Sequence, residues 1–357
     1  MTQNPQIGVL LCVLGGLAGA SFYLPFKGVR RWAWESYWFI YGLVALVIVP
    51  WALALSVAPN LLPVLKASPP WLLLVCYLFG AMWGVGGLTW GLMIRYLGVG
   101  LGLAIGCGLC AAVGTLVPPI VRGKIHELVG TPAGQASLLG VGVALLGIAV
   151  TGLAGMSKER ELPEELKKQS VAEFNFSKGL VIAILSGVMS AGMFFGISSG
   201  DPIKKLTQEI QPYTPSLWQG IPVLVVVLAG GATVNLIWCL LLNAKNRTGG
   251  DYLKSDAPLG LNYLCSALAG VIWYLQFVTL TMGETYMGKY KFNSWALLMS
   301  SMIIFSTVWA IALAEWKGCS ARTKALLGAG LAILVASVGI IGYSNYLANL
   351  ADLAKQA

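Results

Sequence analysis

The chain has 357 residues, of which 57% are hydrophobic and only 10% are charged. Soluble domains carry about 25% charged residues, so this chain has too little polar surface to cover a water-soluble globule. Its formal net charge is +9, but the basic residues lie in short segments between apolar runs, where membrane topology places them. Composition therefore argues against a nucleic-acid-binding protein and predicts an integral membrane protein whose first partner is the lipid bilayer.

Apolar runs long enough to cross a hydrocarbon core of roughly 30 Å recur along the chain. The run over residues 138 to 155 is apolar on all sides and does not alternate in polarity, which is typical of helices rather than barrel strands. The first run lacks the basic segment that precedes a cleavable signal sequence, so we expect it to be retained. The runs predict ten transmembrane helices: 7 to 26, 36 to 57, 71 to 94, 97 to 121, 137 to 155, 179 to 200, 216 to 243, 259 to 282, 293 to 314 and 325 to 346.

The third and fourth predicted spans are separated by little more than Arg95 and Tyr96, so nine spans is the alternative. A single helix over 71 to 121 would be about 75 Å long at 1.5 Å per residue, which exceeds one bilayer. Two spans are therefore expected in this region. The predicted fold class is an all-α membrane protein.

One long polar connector, residues 156 to 178, divides the ten predicted spans five and five. We therefore predict a first five-helix repeat over 1–155 and a second over 179–357. An odd number of helices per repeat would give the halves opposite orientation, and such inverted repeats place the substrate site at their interface.

A short motif occurs in both halves at a constant spacing of 190 residues: Gly80-x-x-Trp83 followed by Gly98, and Gly270-x-x-Trp273 followed by Gly288. Chance agreement in a chain rich in glycine and tryptophan is the alternative. Other glycines, in Gly102-x-x-x-Gly106 and Gly87-x-x-x-Gly91, predict close approach between helices.

Orientation follows from the basic residues. Of the 23 Lys and Arg residues, 15 lie in connections after odd-numbered spans and 8 lie elsewhere. Because basic loops stay on the cytoplasmic side, this count predicts that both termini are periplasmic.

Motifs for catalysis, metal binding or cofactors are nearly absent. The single histidine, His126, lies in a polar loop and is expected to be solvated. Cys107 and Cys110 form a C-x-x-C without a nearby histidine or second cysteine pair, and helix packing is its expected role. We therefore expect no enzyme, metal or cofactor. An intramembrane enzyme and a channel are the competing classes, and the sequence does not predict the oligomeric state.

The strongest candidates for a substrate site are polar and aromatic residues inside predicted spans, where an unsatisfied polar group is expensive. Trp273, Tyr274 and Gln276 lie together in the eighth span, and Trp273 and Gln276 share a helix face. A sugar offers hydroxyls for an amide to bond and an apolar C–H face for an indole to cover. This combination makes a sugar a compatible substrate.

Three further residues are candidates for substrate contact. Asn235 lies in the seventh span, and Asn293 lies at the start of the ninth. Their alternative role, which Gln276 shares, is hydrogen bonding between helices. Trp83 is the third candidate, with lipid contact or packing as its alternative.

Coupling to a proton requires a group that titrates near neutral pH, and burial can bring a carboxylate into that range. The acids closest to predicted spans are Glu284, Glu35, Glu315 and Asp201. Arg95 is a further candidate because its connection is too short to leave the membrane surface. A solvated interfacial group is the alternative for Arg95 and for Glu284.

Several strings, in order over most of the chain, resemble the L-rhamnose/proton symporter family. They are Ala20-Ser-Phe-Tyr-Leu-Pro-Phe-Lys27, Trp32-Ala-Trp34-Glu35, Phe79-Gly-Ala-Met-Trp-Gly84, Ile94-Arg-Tyr-Leu-Gly98, Gly102-Leu-Ala-Ile-Gly106, Trp273-Tyr-Leu-Gln-Phe277 and Glu315-Trp316. The resemblance implies a ten-helix fold of the drug/metabolite transporter superfamily, an inner-membrane location, and symport of L-rhamnose or a close 6-deoxyhexose with a proton.

The segment from Gly283 to Phe292 departs from the family pattern, which leaves the exact sugar and the coupling ion, proton or sodium, open. An exporter of another small molecule on the same superfamily fold is the alternative function.

Overall fold

The computed structural model describes residues 4–161, 176–288 and 291–354. Regular secondary structure in these residues is helical throughout. The described residues form fourteen α-helices: α1 Pro5–Ser21, α2 Trp34–Leu43, α3 Val49–Val57, α4 Leu61–Ala67, α5 Pro70–Val121, α6 Ile125–Val129, α7 Pro132–Glu161, α8 Phe176–Ser190, α9 Gly192–Ser199, α10 Asp201–Glu209, α11 Ile221–Asn246, α12 Leu259–Tyr286, α13 Asn293–Ala312 and α14 Ala321–Ala354.

Local sequence sets several helix ends. Helices α1, α5 and α7 begin at Pro5, Pro70 and Pro132, where the missing amide hydrogen costs nothing because the first turn has no partner for it. Helix α11 ends at Asn246, and the next residue, Arg247, takes the left-handed conformation with φ 58°. Within each helix the backbone N–H and C=O groups bond to one another. Such internal bonding is necessary in lipid, because the hydrocarbon core offers no water to bond these groups.

Nine stretches in the described residues are long and apolar enough to cross a membrane. They are Pro5–Gly28, Trp34–Val57, Pro70–Ile94, Pro132–Glu161, Ser177–Glu209, Ser216–Asn246, Leu259–Tyr286, Asn293–Ala312 and Ala321–Ala348. Ile105–Val121, which corresponds to the fourth predicted span, is a shorter apolar helix. The predicted class, an all-α membrane protein, is confirmed.

Helix α5 bends sharply. A β-carbon placed on Gly106 would lie 2.8 Å from the Met93 sulfur and 3.3 Å from the Trp90 indole. In a straight helix Met93 and Gly106 would be about 20 Å apart, so α5 folds back on itself between them. The expected connection at Arg95 and Tyr96 is therefore helical rather than a loop, because the bend is made without leaving the helix.

The second span contains a π-helical segment, Val44–Ile48, between α2 and α3. The Val49 N–H donates to the Val44 carbonyl, and Pro50 follows with no amide hydrogen to donate. Gly270 of α12 lies against this segment, since a β-carbon there would be 2.9 Å from the Tyr41 carbonyl oxygen. The widened turn is thus a packing surface for α12.

The span from Ser177 to Glu209 is discontinuous. It consists of α8, α9 and α10, with breaks at Ala191 and Gly200. A β-carbon on Gly192 would lie 2.6 Å from the Phe79 carbonyl oxygen, so this break is also a close backbone contact. The predicted connector 156–178 is partly helical, because α7 continues to Glu161; residues 162–175 lie outside the described residues.

The chain forms two compact units. The first, unit 1, comprises Met1–Leu17, Gly86–Ala191 and Met282–Ala357, and the second, unit 2, comprises Ala18–Val85 and Gly192–Thr281.

Glycines allow close helix contact within each unit. In unit 1, a β-carbon on Gly147 of α7 would lie 2.8 Å from the Leu334 side chain of α14. In unit 2, Gly80 of α5 lies directly against the Val227 carbonyl of α11. Such contacts through small residues are how membrane helices pack. The prediction of close packing holds for Gly106, whereas no atom lies within 4 Å of a β-carbon placed on Gly87.

Candidate substrate and proton sites

Trp273 of α12 lies at the centre of an aromatic cluster in unit 2. It is 6% exposed, and its ring centroid is 5.3 Å from that of Trp83 on α5. The Phe277 ring lies 4.8 Å away and the Tyr41 ring 6.1 Å away. The structure thus brings together two predicted residues, Trp83 and Trp273, from separate helices.

The cluster continues from Tyr41 to aromatic residues that sequence reasoning missed. Tyr41 stacks on Phe22 with centroids 5.7 Å apart, and its ring is 5.5 Å from that of Phe26 and 4.7 Å from that of Trp38. The signal was present in the sequence, because two groups of aromatic residues, 22–26 and 37–41, have helical spacing. Aromatic faces of this kind cover apolar surface on a ligand.

Gln276 lies one turn from Trp273 on the same helix and is 3% exposed. Its side-chain amide makes no hydrogen bond to another residue in the described part of the chain. Tyr274 is fully buried, and its hydroxyl likewise finds no partner among these residues. Buried polar groups are nearly always bonded, so these two side chains are suited to a ligand or water.

Asn235 of α11 is 5% exposed and donates from Nδ2 to the Gly231 carbonyl of its own helix at 3.0 Å. Gly231 in turn lies against Trp83, since a β-carbon there would be 2.6 Å from the indole. Asn235 is therefore one turn from the Trp83 contact. Its Nδ2 bonds within α11 rather than to a neighbouring helix.

Asn293 lies in unit 1. Its Oδ1 accepts a hydrogen bond of 2.7 Å from Ser137 of α7, so this amide does link two helices. Its Nδ2 is buried and has no partner in the described ranges.

Glu35 is 6% exposed at the start of α2, in unit 2. Its Oε1 accepts hydrogen bonds of 2.9 Å from Asn246 and 2.8 Å from Thr248, just after α11. Nearby, Ser36 donates to Asp251 at 2.8 Å. These bonds fasten the start of α2 to the turn after α11, which is a structural role.

Glu284, at the end of α12 in unit 1, is also 6% exposed. Its Oε1 accepts a hydrogen bond of 3.4 Å from Ser294 of α13. Cys12 of α1 packs beside it, because a β-carbon on Gly283 would lie 2.9 Å from the Cys12 sulfur. Glu284 is thus enclosed by three helices.

The other residues predicted to couple transport to a proton differ in their exposure and in their charged neighbours. Glu315 is exposed in the turn after α13. Asp201 is partly buried and lies 3.3 Å from the Lys204 ammonium. Arg95 belongs to α5, and its side chain lies outside the described residues. His126 is exposed, in the short helix α6 rather than in a loop.

The nine apolar spans of the described residues define the class of this molecule as a multi-pass membrane protein. The chain belongs to the L-rhamnose-proton symport protein family, whose model matches residues 1–346. The family consists of symporters, so the competing prediction of an intramembrane enzyme does not hold.

Two curated relatives show how far the similarity extends. The chain is 36% identical to the L-rhamnose-proton symporter of Cronobacter sakazakii over 346 residues, which is 96% of this chain and 98% of the relative. It is 36% identical to the L-rhamnose-proton symporter of Yersinia pestis over 340 residues, 94% of this chain and 97% of the relative. The resemblance inferred from short strings thus extends over almost the full length.

Proposed function

We propose that this protein imports L-rhamnose, or a closely related 6-deoxyhexose, by symport with a proton and without a cofactor. The observation that carries the proposal is the unbonded Gln276 amide beside the buried Trp273 ring, in a chain similar over nearly its full length to L-rhamnose-proton symporters.

The proposed sugar site uses residues of unit 2. Trp83 and Trp273 would cover the apolar face and the methyl group of the sugar, while Gln276 would bond its hydroxyls. Tyr274 and Asn235 would supply further hydrogen bonds, each worth about 0.5–1.5 kcal/mol net. Separately from this site, Asn293 of unit 1 is proposed as a sugar contact, because its Nδ2 has no partner in the described residues.

We further propose that the chain has ten spans arranged as inverted repeats, 1–155 and 179–357, joined by 156–178, as in the drug/metabolite transporter superfamily. The fold-back of α5 supports two spans in that helix, because Trp90 and Met93 contact Gly106.

The chain segments that make up each compact unit also support the proposed inverted repeat. The chain crosses between units after Leu17, Val85, Ala191 and Thr281. These points fall in the first and third predicted spans of each half. Equivalent spans from both halves therefore contribute to each unit, as a two-fold repeat requires.

A bacterial inner-membrane location with both termini periplasmic completes the proposal. The distribution of Lys and Arg supports this orientation. Labelling of single cysteines introduced near each terminus, with a reagent that does not cross membranes, would test it in intact cells.

The test of function is sugar-driven proton movement. L-rhamnose added to de-energised, right-side-out vesicles containing the protein should make the external medium more alkaline, and vesicles without the protein should not respond. No alkalinisation with L-rhamnose or any related 6-deoxyhexose would refute the symport proposal. Proton-driven efflux of another compound would favour the exporter instead.

A further inference from the structure

Helix α13 presents a buried polar face within unit 1. Ser294 and Ser301 are seven residues apart, so they lie on the same side of the helix, about 10 Å from one another along its axis. Both side chains are at most 1% exposed. We call Ser294 and Ser301 the serine face. Ser300 is also buried, but it lies about 100° further around the helix.

Helix α1 covers this face. Cys12 lies beside Gly283, which precedes Glu284, and one turn further along α1 Gly16 lies directly against Ser301. A glycine at position 16 leaves no side chain between the two backbones. Glu284, Ser294 and Ser301 therefore follow one another beneath α1.

Part of the serine face is unsatisfied. The hydroxyl of Ser301 has no hydrogen-bond partner in the described part of the chain, and the same holds for the adjacent Ser300 outside this face. Buried hydroxyls are costly to leave unbonded, and ordered water is their usual partner where protein supplies none. Water bound by Ser301 would lie on the side of α13 that carries Ser294, a hydrogen-bond partner of Glu284.

We propose that Glu284 takes up the coupling proton and that water held by the serine face delivers it. This proposal rests on the proposed symport. The Glu284 carboxylate gains one proton from water on one side of the membrane and returns it to water on the other, so no other reactant is needed.

Groups that face Glu284 come from α1, from α13 and from the turn between α12 and α13. Cys12 is the titratable group that α1 places beside it, and α13 contributes the neutral Ser294. The turn between α12 and α13 carries Lys291; Lys289 and Tyr290 lie outside the described residues. Glu284 is the buried acid of unit 1 in the described ranges, whereas Glu315 is exposed.

The experiment compares wild type, Glu284→Gln, Glu284→Asp and Glu127→Gln, each reconstituted as the whole chain in liposomes. Glu127 is an exposed carboxylate in unit 1, so Glu127→Gln removes the same charge away from the serine face. Exchange of labelled for unlabelled L-rhamnose needs no net proton movement, and it reports folding and sugar binding.

Glu284→Gln should keep exchange but lose accumulation driven by an inside-alkaline pH gradient. Wild type and Glu127→Gln should bind L-rhamnose about tenfold more tightly at low than at high external pH, whereas Glu284→Gln should bind equally at both, because the linked proton site is gone. Glu284→Asp keeps a carboxyl group and should keep accumulation.

Accumulation by Glu284→Gln at the wild-type level would overturn the assignment while leaving the symport intact. Absence of sugar-driven proton uptake in wild type would instead overturn the proposed function. If Glu284→Gln loses exchange as well, Ser294→Ala decides: a smaller change of affinity with pH supports the proposal, and an unchanged one overturns it.

Discussion

Two carboxylates of this protein are buried to the same depth in different surroundings. Glu35 and Glu284 are each 6% exposed. Glu35 accepts hydrogen bonds of 2.9 and 2.8 Å from Asn246 and Thr248, and one of the contacts of Glu284 is a bond of 3.4 Å from Ser294. Short bonds from two donors stabilise an ionised carboxylate, and a group held in that way is poorly suited to exchange a proton. Burial alone therefore does not mark a coupling residue.

The largest expected difference separates Glu35→Gln from Glu284→Gln. Glu35→Gln keeps a carbonyl oxygen that can accept from Asn246 and Thr248, so proton-driven accumulation of L-rhamnose should persist, while Glu284→Gln abolishes it. Uptake under an imposed pH gradient measures both. Loss of accumulation in Glu35→Gln alone would reverse the two roles.

Glu35→Ala should destabilise the protein moderately. It removes the hydrogen bonds from Asn246 and Thr248, each worth about 0.5–1.5 kcal/mol, although Thr248 can still donate to Asn243 at 3.1 Å. The rate of thermal inactivation in detergent is the measurement, with Glu127→Ala, at an exposed site, as the matched control. Equal inactivation rates in the two variants would show that the Glu35 bonds are dispensable.

Gln276→Ala should weaken L-rhamnose binding by about tenfold, which corresponds to 1.4 kcal/mol and the loss of one or two hydrogen bonds. Insertion into the membrane should be normal, and the pH dependence of binding should persist because Glu284 is intact. Thr279→Ala, also on α12, is the control, since Thr279 is partly exposed and its hydroxyl bonds only its own helix in the described residues. Unchanged affinity in Gln276→Ala would remove Gln276 from the sugar site.

Tyr252→Phe tests the turn that holds Glu35 and should have the smallest effect. It removes the hydroxyl that accepts from Asn243 at 3.2 Å, a loss of about 0.5–1.5 kcal/mol. Burial raises the pKa of Tyr252 from 10.0 to about 12.

Because the pKa of Tyr252 is raised in the folded state, its neutral hydroxyl contributes to the free energy of unfolding. This contribution is fully present below pH 10 and is lost as the pH rises toward 12. Thermal inactivation of wild type should therefore accelerate toward about pH 11 more than that of Tyr252→Phe. Parallel pH profiles in both proteins would contradict this account.

The sequence was informative about the aromatic site to a limited degree. The spacing of Trp273 and Gln276 placed them on one face, and both are buried in the structure. Tyr41 was missed, although its ring lies 6.1 Å from that of Trp273, because the two residues are far apart along the chain. Likewise no local pattern indicated that Asn293 lies in a different compact unit from Gln276.

The sequence by itself determined that this protein is a helical membrane transporter and to which family it belongs. Hydropathy depends on residues that are contiguous in the chain, and the short sequences that resemble the family are contiguous too. Both the membrane class and the family can therefore be recognised without the tertiary structure. Only the tertiary structure decided which buried polar groups have partners. Glu35 is bonded by residues 211 and 213 positions away, and the contact of Gly16 with Ser301 joins two distant helices. Only tertiary packing brings such groups together, because the residues between them in the sequence do not indicate which distant helices will be in contact.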